Sequence, residues 1–478
     1  MLSPRRSDHT PKTVDTLFSS ASLHLQRQKT RIDNFFRNQN PDTQPEQDFS
    51  IADIIRFAAE KFIDSITEPT DPPSGNSDDD DDEVTNDVEL IHQLLRAADE
   101  LDHKQYEQAT HFLNLCDFSS SRTGNLAQRI THYFVQALRE KLRKETGSGT
   151  HPIADLMNRF QRLNVEETMT AISPIVVVLY EKIPFFQVGQ LAGVQAIVES
   201  VEKAKRIHII DLRIRNGMQW TALMQALSTA SKGKRRRRRA PEILKITAIV
   251  TISENLVRGT GERLTKFAES MEIPFEFNTI VVSSFTELDE AQFDLDPRET
   301  VAVYGEYALQ GLVSDPNELE ALTEVLKKIS PSIMVVLESE VNLNSSNFAR
   351  RFVEMLFHYG AYFDCLDACL DSSCDDGGGG TGERGLIESM FLNKITDLLV
   401  KEGEEMLRVV TVDVWRKFFG QFSVWEVGLS SSAMETVNLL LGRFVKGKCC
   451  TLDMDGRCLI VGWKGTPIFS LSTWKFLH

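Results

Sequence analysis

The residues of "RIHIIDLRIRNGMQW", Arg206 to Trp220, have types and spacing that could do chemistry. An apolar segment ending in an aspartate, followed by a glycine-containing turn and a helix, opens many nucleotide-binding α/β domains. The chemistry would be ligand capture: backbone N–H groups at the helix start hold phosphate, and an acid after the second strand holds ribose hydroxyls. Both requirements are degraded here. Gly217 is the only glycine in the loop, and positions 213 to 216 are Arg, Ile, Arg and Asn, so side chains occupy the space a ribose or phosphate would take. The second segment, "ITAIVTIS", ends in Thr251 and Ser253, and the first acid is Glu254. The expectation is a strand, turn and helix kept for packing, with no cofactor, in which Asp211, Gln219 and Trp220 fix the turn. His208, set among isoleucines, is expected to be a satisfied core histidine.

Other reactive constellations are missing. There is no Gly-x-Ser-x-Gly elbow, no His-Glu-x-x-His, no phosphate-binding Gly-x-x-x-x-Gly-Lys-Ser/Thr and no Cys-x-x-Cys. The thiols of Cys365, Cys369 and Cys374 lack the second paired cluster a zinc site needs. No catalytic residue and no metal is expected.

The densest charge is "KGKRRRRR", with Lys232, Lys234, Arg235, Arg236, Arg237, Arg238 and Arg239. Five successive arginines would repel one another all round a helix, so an exposed loop ahead of Ala240-Pro241 is expected, of the kind an import receptor reads. A phosphate-contacting role on DNA is the second reading, which Arg213 and Arg215 would extend, although no base-reading side chains stand nearby. The net charge of -16 repels polyanions at long range.

The 478 residues, with 41% hydrophobic and 26% charged content, suit one large or two medium globular domains. No apolar run is long enough to cross a membrane, and "MLSPRRSDHTPKTVD" has no secretory centre. Seven cysteines, odd in number and dilute, point to free thiols in a reducing compartment.

Along the chain, residues 1 to 87 are expected to be disordered, apart from a short helix at about 50–66 and an acidic linker at 67–87. From about 88 to 200 the pattern is helical, and Leu90, Leu94, Ala98 and Leu101 form an apolar face on its first helix. That spacing suits an intramolecular core or a partner-binding stripe. After residue 205, near-continuous apolar strands alternate with helices, which implies a doubly wound α/β core with a mostly parallel sheet. Strands are expected at 206–212, 244–250, 275–282, 300–307 and 332–340, with helices at about 218–230, 260–271, 316–329 and 346–359. "DSSCDDGGGGTGE" reads as a surface loop, and the strand-rich tail reads as an antiparallel edge.

In order along the chain, these segments resemble the plant GRAS proteins, regulators of transcription. "RIHIIDLRIRNGMQWTALMQAL" resembles the VHIID signature, carried by Ile207, His208, Ile209, Ile210 and Asp211. "LLRAADELDHKQYEQATHFL" with "LAQRITHYFVQAL" resembles the first leucine-rich region, and "GERLTKFAESMEIPFEF" the flank of the second. Residues 330–368, with Pro331, Phe348, Arg351 and Tyr359, resemble the PFYRE region, and "LIVGWKGTPIFSLSTW" the SAW motif, with Trp463, Ser472, Thr473 and Trp474. Thr473 replaces the motif's alanine, and the later PFYRE region diverges. The N-terminus lacks the acidic hormone-responsive motif of the DELLA branch.

The resemblance implies a methyltransferase-like core under an α-helical cap, the whole forming a GRAS domain over 88–478, with cap at about 88–200 and core at about 205–478. It implies a nuclear, non-enzymatic regulator that binds transcription factors and other GRAS proteins as homo- or heterodimers, in part through Leu90, Leu94, Ala98 and Leu101. Contact with DNA would be indirect, and neither a membrane nor a small-molecule substrate is implied. The alternatives are a protein that contacts DNA directly through 232–239 and a methyltransferase-like enzyme.

Overall fold

The computed structural model describes residues 53, 55–59, 79–147, 165–232, 241–251, 254–370, 382–403 and 406–476. Strands β1 (Arg206–Asp211), β2 (Ile243–Val250), β3 (Phe275–Val281), β4 (Glu299–Glu306) and β5 (Ile333–Ser339) lie parallel, in the order β3-β2-β1-β4-β5. Ile209 of β1 stands between Ile246 and Ala302. The antiparallel extension comprises β6 (Val424–Val427), β7 (Cys450–Asp455), β8 (Cys458–Trp463) and β9 (Thr466–Phe476). β9 inserts between β5 and β8, β7 lies outside β8, and β6 also pairs with β9. Gly456 and the Lys464-Gly465 pair turn the two hairpins with positive φ.

Alternating side chains of the strands enter two cores. Ile207, Ile209, Ala302 and Val335 face one side, covered by α6 (Pro184–Ser200), α7 (Met218–Lys232) and α8 (Glu254–Ser270). Ile210, Val303 and Met334 face the other, covered by α9 (Pro316–Ile329) and α12 (Val412–Gln421). The doubly wound expectation for the core is therefore what the structure shows.

The cap is α1 (Asp79–Asp102), α2 (Tyr106–Ser119) and α3 (Leu126–Thr146), completed by α10 (Phe348–Cys369) and α11 (Glu383–Val400) from the second half of the chain. This corrects the expected span of 88–200 in two ways. The preceding short helices are α4 (Val165–Thr170) and α5 (Pro174–Lys182). Helix α6 leaves the cap for the sheet because it is apolar on nearly every side. Its glycines also permit close approach: a Cβ at Gly189 would sit 2.9 Å from Leu337, and one at Gly193 would sit 3.0 Å from Val335. Conversely, Phe352, Phe363 and Ile395 have no sheet face to meet and fill the cap core.

Leu90, Leu94, Ala98 and Leu101 are at most 4% exposed within that core. They are therefore not a partner-facing stripe, since α2, α3 and α10 already cover the same face. The expected linker at 67–87 is corrected as well: α1 starts at Asp79, inside the acidic run. Of the short helix expected at 50–66, residues 53 and 55–59 are described. They are helical, with Ile55 and Ala58 buried in the cap core. Residues 1–52 and the loop at 371–381 lie outside the described residues. Among the described residues no single helix is long and apolar enough to cross a membrane. The bent pair of α5 and α6 passes that test together, but much of it is buried in the core beside the sheet.

Candidate functional site

The β1 turn is held by its own residues and by the helices beside it: Asn216 Nδ2 donates to the Met169 carbonyl at 3.0 Å, and Thr260 Oγ1 donates to the Arg215 carbonyl at 2.8 Å. Asp211 is buried and accepts hydrogen bonds from Trp220 Nε1 at 2.8 Å and from the Arg213 backbone N–H at 3.0 Å. Trp220 meets Tyr304 edge to face, with centroids 5.2 Å apart. Asn216 Oδ1 accepts from the Met218 N–H at 3.0 Å, so a donor at the start of α7 that could serve a phosphate is already taken. Gly217 has φ +73°, and a Cβ there would come within 2.9 Å of Thr260. The loop's one glycine thus serves a tight turn against α8. Gln219 is buried beside it. At the end of β2, Thr251 is exposed, and the Glu254 carboxylate accepts from the Thr279 hydroxyl at 3.3 Å.

Burial pushes the Asp211 carboxyl up to about 7, against the pull of its two N–H donors. A folded-state value above the unfolded one stabilises at low pH, and that contribution is lost as pH rises towards 7. Asp211→Asn removes the titration while keeping an acceptor. The wild-type loss of stability between pH 5.5 and 8 should shrink by about 2 kcal/mol in the variant, read from urea midpoints at the two pH values. An unchanged slope would show that Asp211 is ionised throughout.

His208 is fully buried, 2.8 Å from Thr247 Oγ1 through Nε2 and 3.1 Å from the Glu299 carboxylate through Nδ1. Burial, with Lys245 nearby, holds it down at about 3, so it is neutral near pH 7. Ile207, Ile209 and Ile210 are wholly buried. The motif from Ile207 to Asp211 is therefore packing and turn geometry.

The second motif is equally internal. Trp463 Nε1 donates to Asp364 Oδ2 at 2.9 Å, and Lys464 Nζ reaches the same carboxylate. Trp474 Nε1 donates to Ser472 Oγ at 2.9 Å, and Thr473 Oγ1 donates to the Val427 carbonyl at 2.6 Å. Arg351 donates to the Ser345 carbonyl at 2.6 Å. Lys232 is the last residue of α7 rather than part of a loop; Lys234 and Arg235 to Arg239 lie outside the described residues. Two groups had no local signal in the sequence. Arg129 on α3 bonds Glu388 on α11 at 3.1 Å and Asp367 on α10 at 2.7 Å, and Asp364 is the anchor of Trp463.

The carboxyl edge of the sheet still opens onto space. A cavity of about 530 Å³ lies where β1 and β4 end, under α10 and α11. Arg213 and Arg215 enter it from the β1 turn, Tyr307 from the end of β4, His358 and Tyr362 from α10, and Lys394 from α11. Arg213 donates to the Tyr307 carbonyl at 2.6 Å, and the Arg215 guanidinium lies 5.5 Å from the Tyr307 ring centre. Adjacent β1 and β4 mark the point where the sheet's connections diverge, the usual ligand position in such folds. Among the described residues, no cluster of three His, Cys, Asp or Glu groups is arranged to hold a metal.

The GRAS domain family matches residues 90–475. DELLA protein GAI1 of Vitis vinifera is 26% identical over 395 residues, covering 82% of this chain and 62% of that protein. DELLA protein 1 of Medicago truncatula is 28% identical over 400 residues, covering 81% and 63%. The chain thus spans less than two thirds of the length of these relatives. The crystal structure of SCL7 from Oryza sativa superposes with a TM-score of 0.65 at 25% identity, over 81% of this chain and 99% of that one.

Proposed function

Since the chain belongs to the GRAS domain family, we propose that it is a non-enzymatic regulator of transcription in the nucleus, whose α/β core is scaffold and whose cap pairs with transcription factors and other GRAS proteins. The observation that carries this reading is an unburied apolar pair on the cap. Phe118 is 93% exposed and Leu115 38% exposed, one turn apart on α2. An exposed aromatic one helical turn from a leucine is the pattern of a docking face. The absence of catalysis is supported by the occupied start of α7 and by the lack of an acid immediately after β2. The arginine run from 235 to 239 serves import in this reading.

One experiment compares three forms of the tagged full chain in plant cells: wild type, Leu115→Asp with Phe118→Asp, and Arg235 to Arg239 changed together to alanine. The first variant should stay nuclear, melt as the wild type does, and lose copurifying transcription factors and GRAS proteins by about tenfold or more, as expected for a docking hot spot. The second should move to the cytoplasm. Undiminished copurification would remove α2 from the interface, and undiminished nuclear accumulation would remove the arginine run from import.

A further inference from the structure

We propose that Cys365 and Cys369 form a redox-active dithiol, in which a hydroperoxide oxidises Cys369 and Cys365 then closes a reversible disulfide. This goes beyond the partner-binding reading and does not depend on it.

The two thiols stand one turn apart at the end of α10, with their Sγ atoms 3.9 Å apart and in hydrogen-bond contact. Four residues of helical rise place their Cα atoms about 6 Å apart, within the span that disulfides bridge. Their surroundings differ. Cys365 is wholly buried in the core beside the sheet, whereas Cys369 is half-buried at its rim. An incoming oxidant therefore meets Cys369 first, and Cys365 stands behind it, out of reach of solvent.

Charge supports the same assignment. Burial pushes the Cys365 thiol well above its usual range, so it keeps its proton and donates towards Cys369. That S–H, with the Lys446 ammonium nearby, draws the Cys369 thiol below its usual range. The carbonyl pole at the end of α10 opposes an anion there, but the reaction needs only a fraction of thiolate, replenished as it is consumed.

The Cys369 thiolate attacks one peroxide oxygen and the O–O bond breaks. The departing alkoxide takes up a proton and leaves as an alcohol, and Cys369 is left as a sulfenic acid. Cys365 sulfur then attacks Cys369 sulfur, and the hydroxyl leaves with the Cys365 proton as water. Two thiols have lost two electrons in all, and the peroxide has gained them. Closing the bond draws in the last turn of α10, which ends at Cys369 and has no further helix to hold it. Asp367 lies inside the closed loop and accepts from Arg129 of α3 and Arg384 of α11, so the change reaches the cap. A disulfide formed against helix geometry is strained and readily reduced, as transient disulfides in reducing compartments are.

Mass spectrometry of the full chain, treated with a few equivalents of hydrogen peroxide at pH 7, tests this. The expected product has lost two hydrogen atoms, maps to a Cys365–Cys369 bridge and reverts with dithiothreitol. Cys369→Ser should abolish the bridge and leave Cys365 unoxidised. Cys365→Ala should stall the reaction at a sulfenic acid on Cys369, trapped by dimedone. Lys446→Ala, at an exposed position where the fold is not at risk, should slow oxidation about two- to fivefold. Oxidation of the wild type should quicken amide hydrogen exchange in the last turn of α10 about tenfold, as loss of a helical hydrogen bond implies. A bridge to any other cysteine, or oxidation of Cys369 to a sulfinic acid without a bridge, overturns the proposal. So does a Cys369 that reacts no faster than the half-buried Cys449 and Cys450 and is unaffected by Lys446→Ala. Unchanged exchange on oxidation overturns the effect on the cap.

Discussion

Arg129→Met should destabilise the domain by about 3–5 kcal/mol, the range for removing one partner of a buried pair. Arg129 and Glu388 have side chains 4% and 1% exposed, and the guanidinium also donates to the Gly124 carbonyl at 3.0 Å. The loss would come less from the missing attraction than from the carboxylate left behind in the cap. Burial already holds the Glu388 carboxyl above its usual range, with Arg129 the main opposing influence. Without Arg129 that carboxyl rises further, so the deficit should be largest at neutral pH and shrink as pH falls towards 4.5, where the unfolded group is also protonated. Adding Glu388→Leu should recover most of the loss. Denaturant midpoints of the single and double variants at pH 7 and 5 check all of this; a single variant within 1 kcal/mol of wild type, the scale of a surface pair, would refute it.

Trp463→Ala should also cost about 3–5 kcal/mol, as large aromatic truncations in cores do. The indole is 1% exposed, meets Phe185 edge to face at 5.9 Å, and donates to the largely buried Asp364. Trp463→Phe separates the contributions: it keeps most of the packing and removes the donor, so a loss of about 1–3 kcal/mol is expected. Equal effects of the two substitutions would mean that the Asp364 contact, not volume, dominates.

These two residues also show where sequence reasoning ran out. Strands such as "RIHIID" and "IMVVLES" were legible because a strand covered on both faces is a continuous apolar run whatever lies around it. The glycine-poor turn was legible too, since a chemical requirement can be tested against the residues present. Neither route reaches Arg129 with Glu388 or Trp463 with Asp364, which pair helices and strands far apart in the chain. Leu90 and Leu94 illustrate a subtler limit: apolar spacing says that a face is buried, but not by what. The same limit hid the move of α6 onto the sheet, and the cavity, which exists only where the β1 turn, β4, α10 and α11 converge. Phe118 was invisible for the opposite reason: a lone aromatic in a helix reads as core until its exposure is measured.

The position of β9 bears on how the protein is made. β5 emerges from the ribosome long before β9, and until then one edge of the parallel sheet carries unpaired backbone groups, a recognised route to aggregation. β6, β7 and β8 are all translated earlier, yet β6 and the β7–β8 hairpin join the sheet only through β9. A nascent chain must therefore be shielded by chaperones or by its own cap helices through much of its synthesis. A premature stop codon before Thr466 would leave an open-edged sheet, so nonsense alleles late in the coding sequence should deplete the protein as completely as early ones.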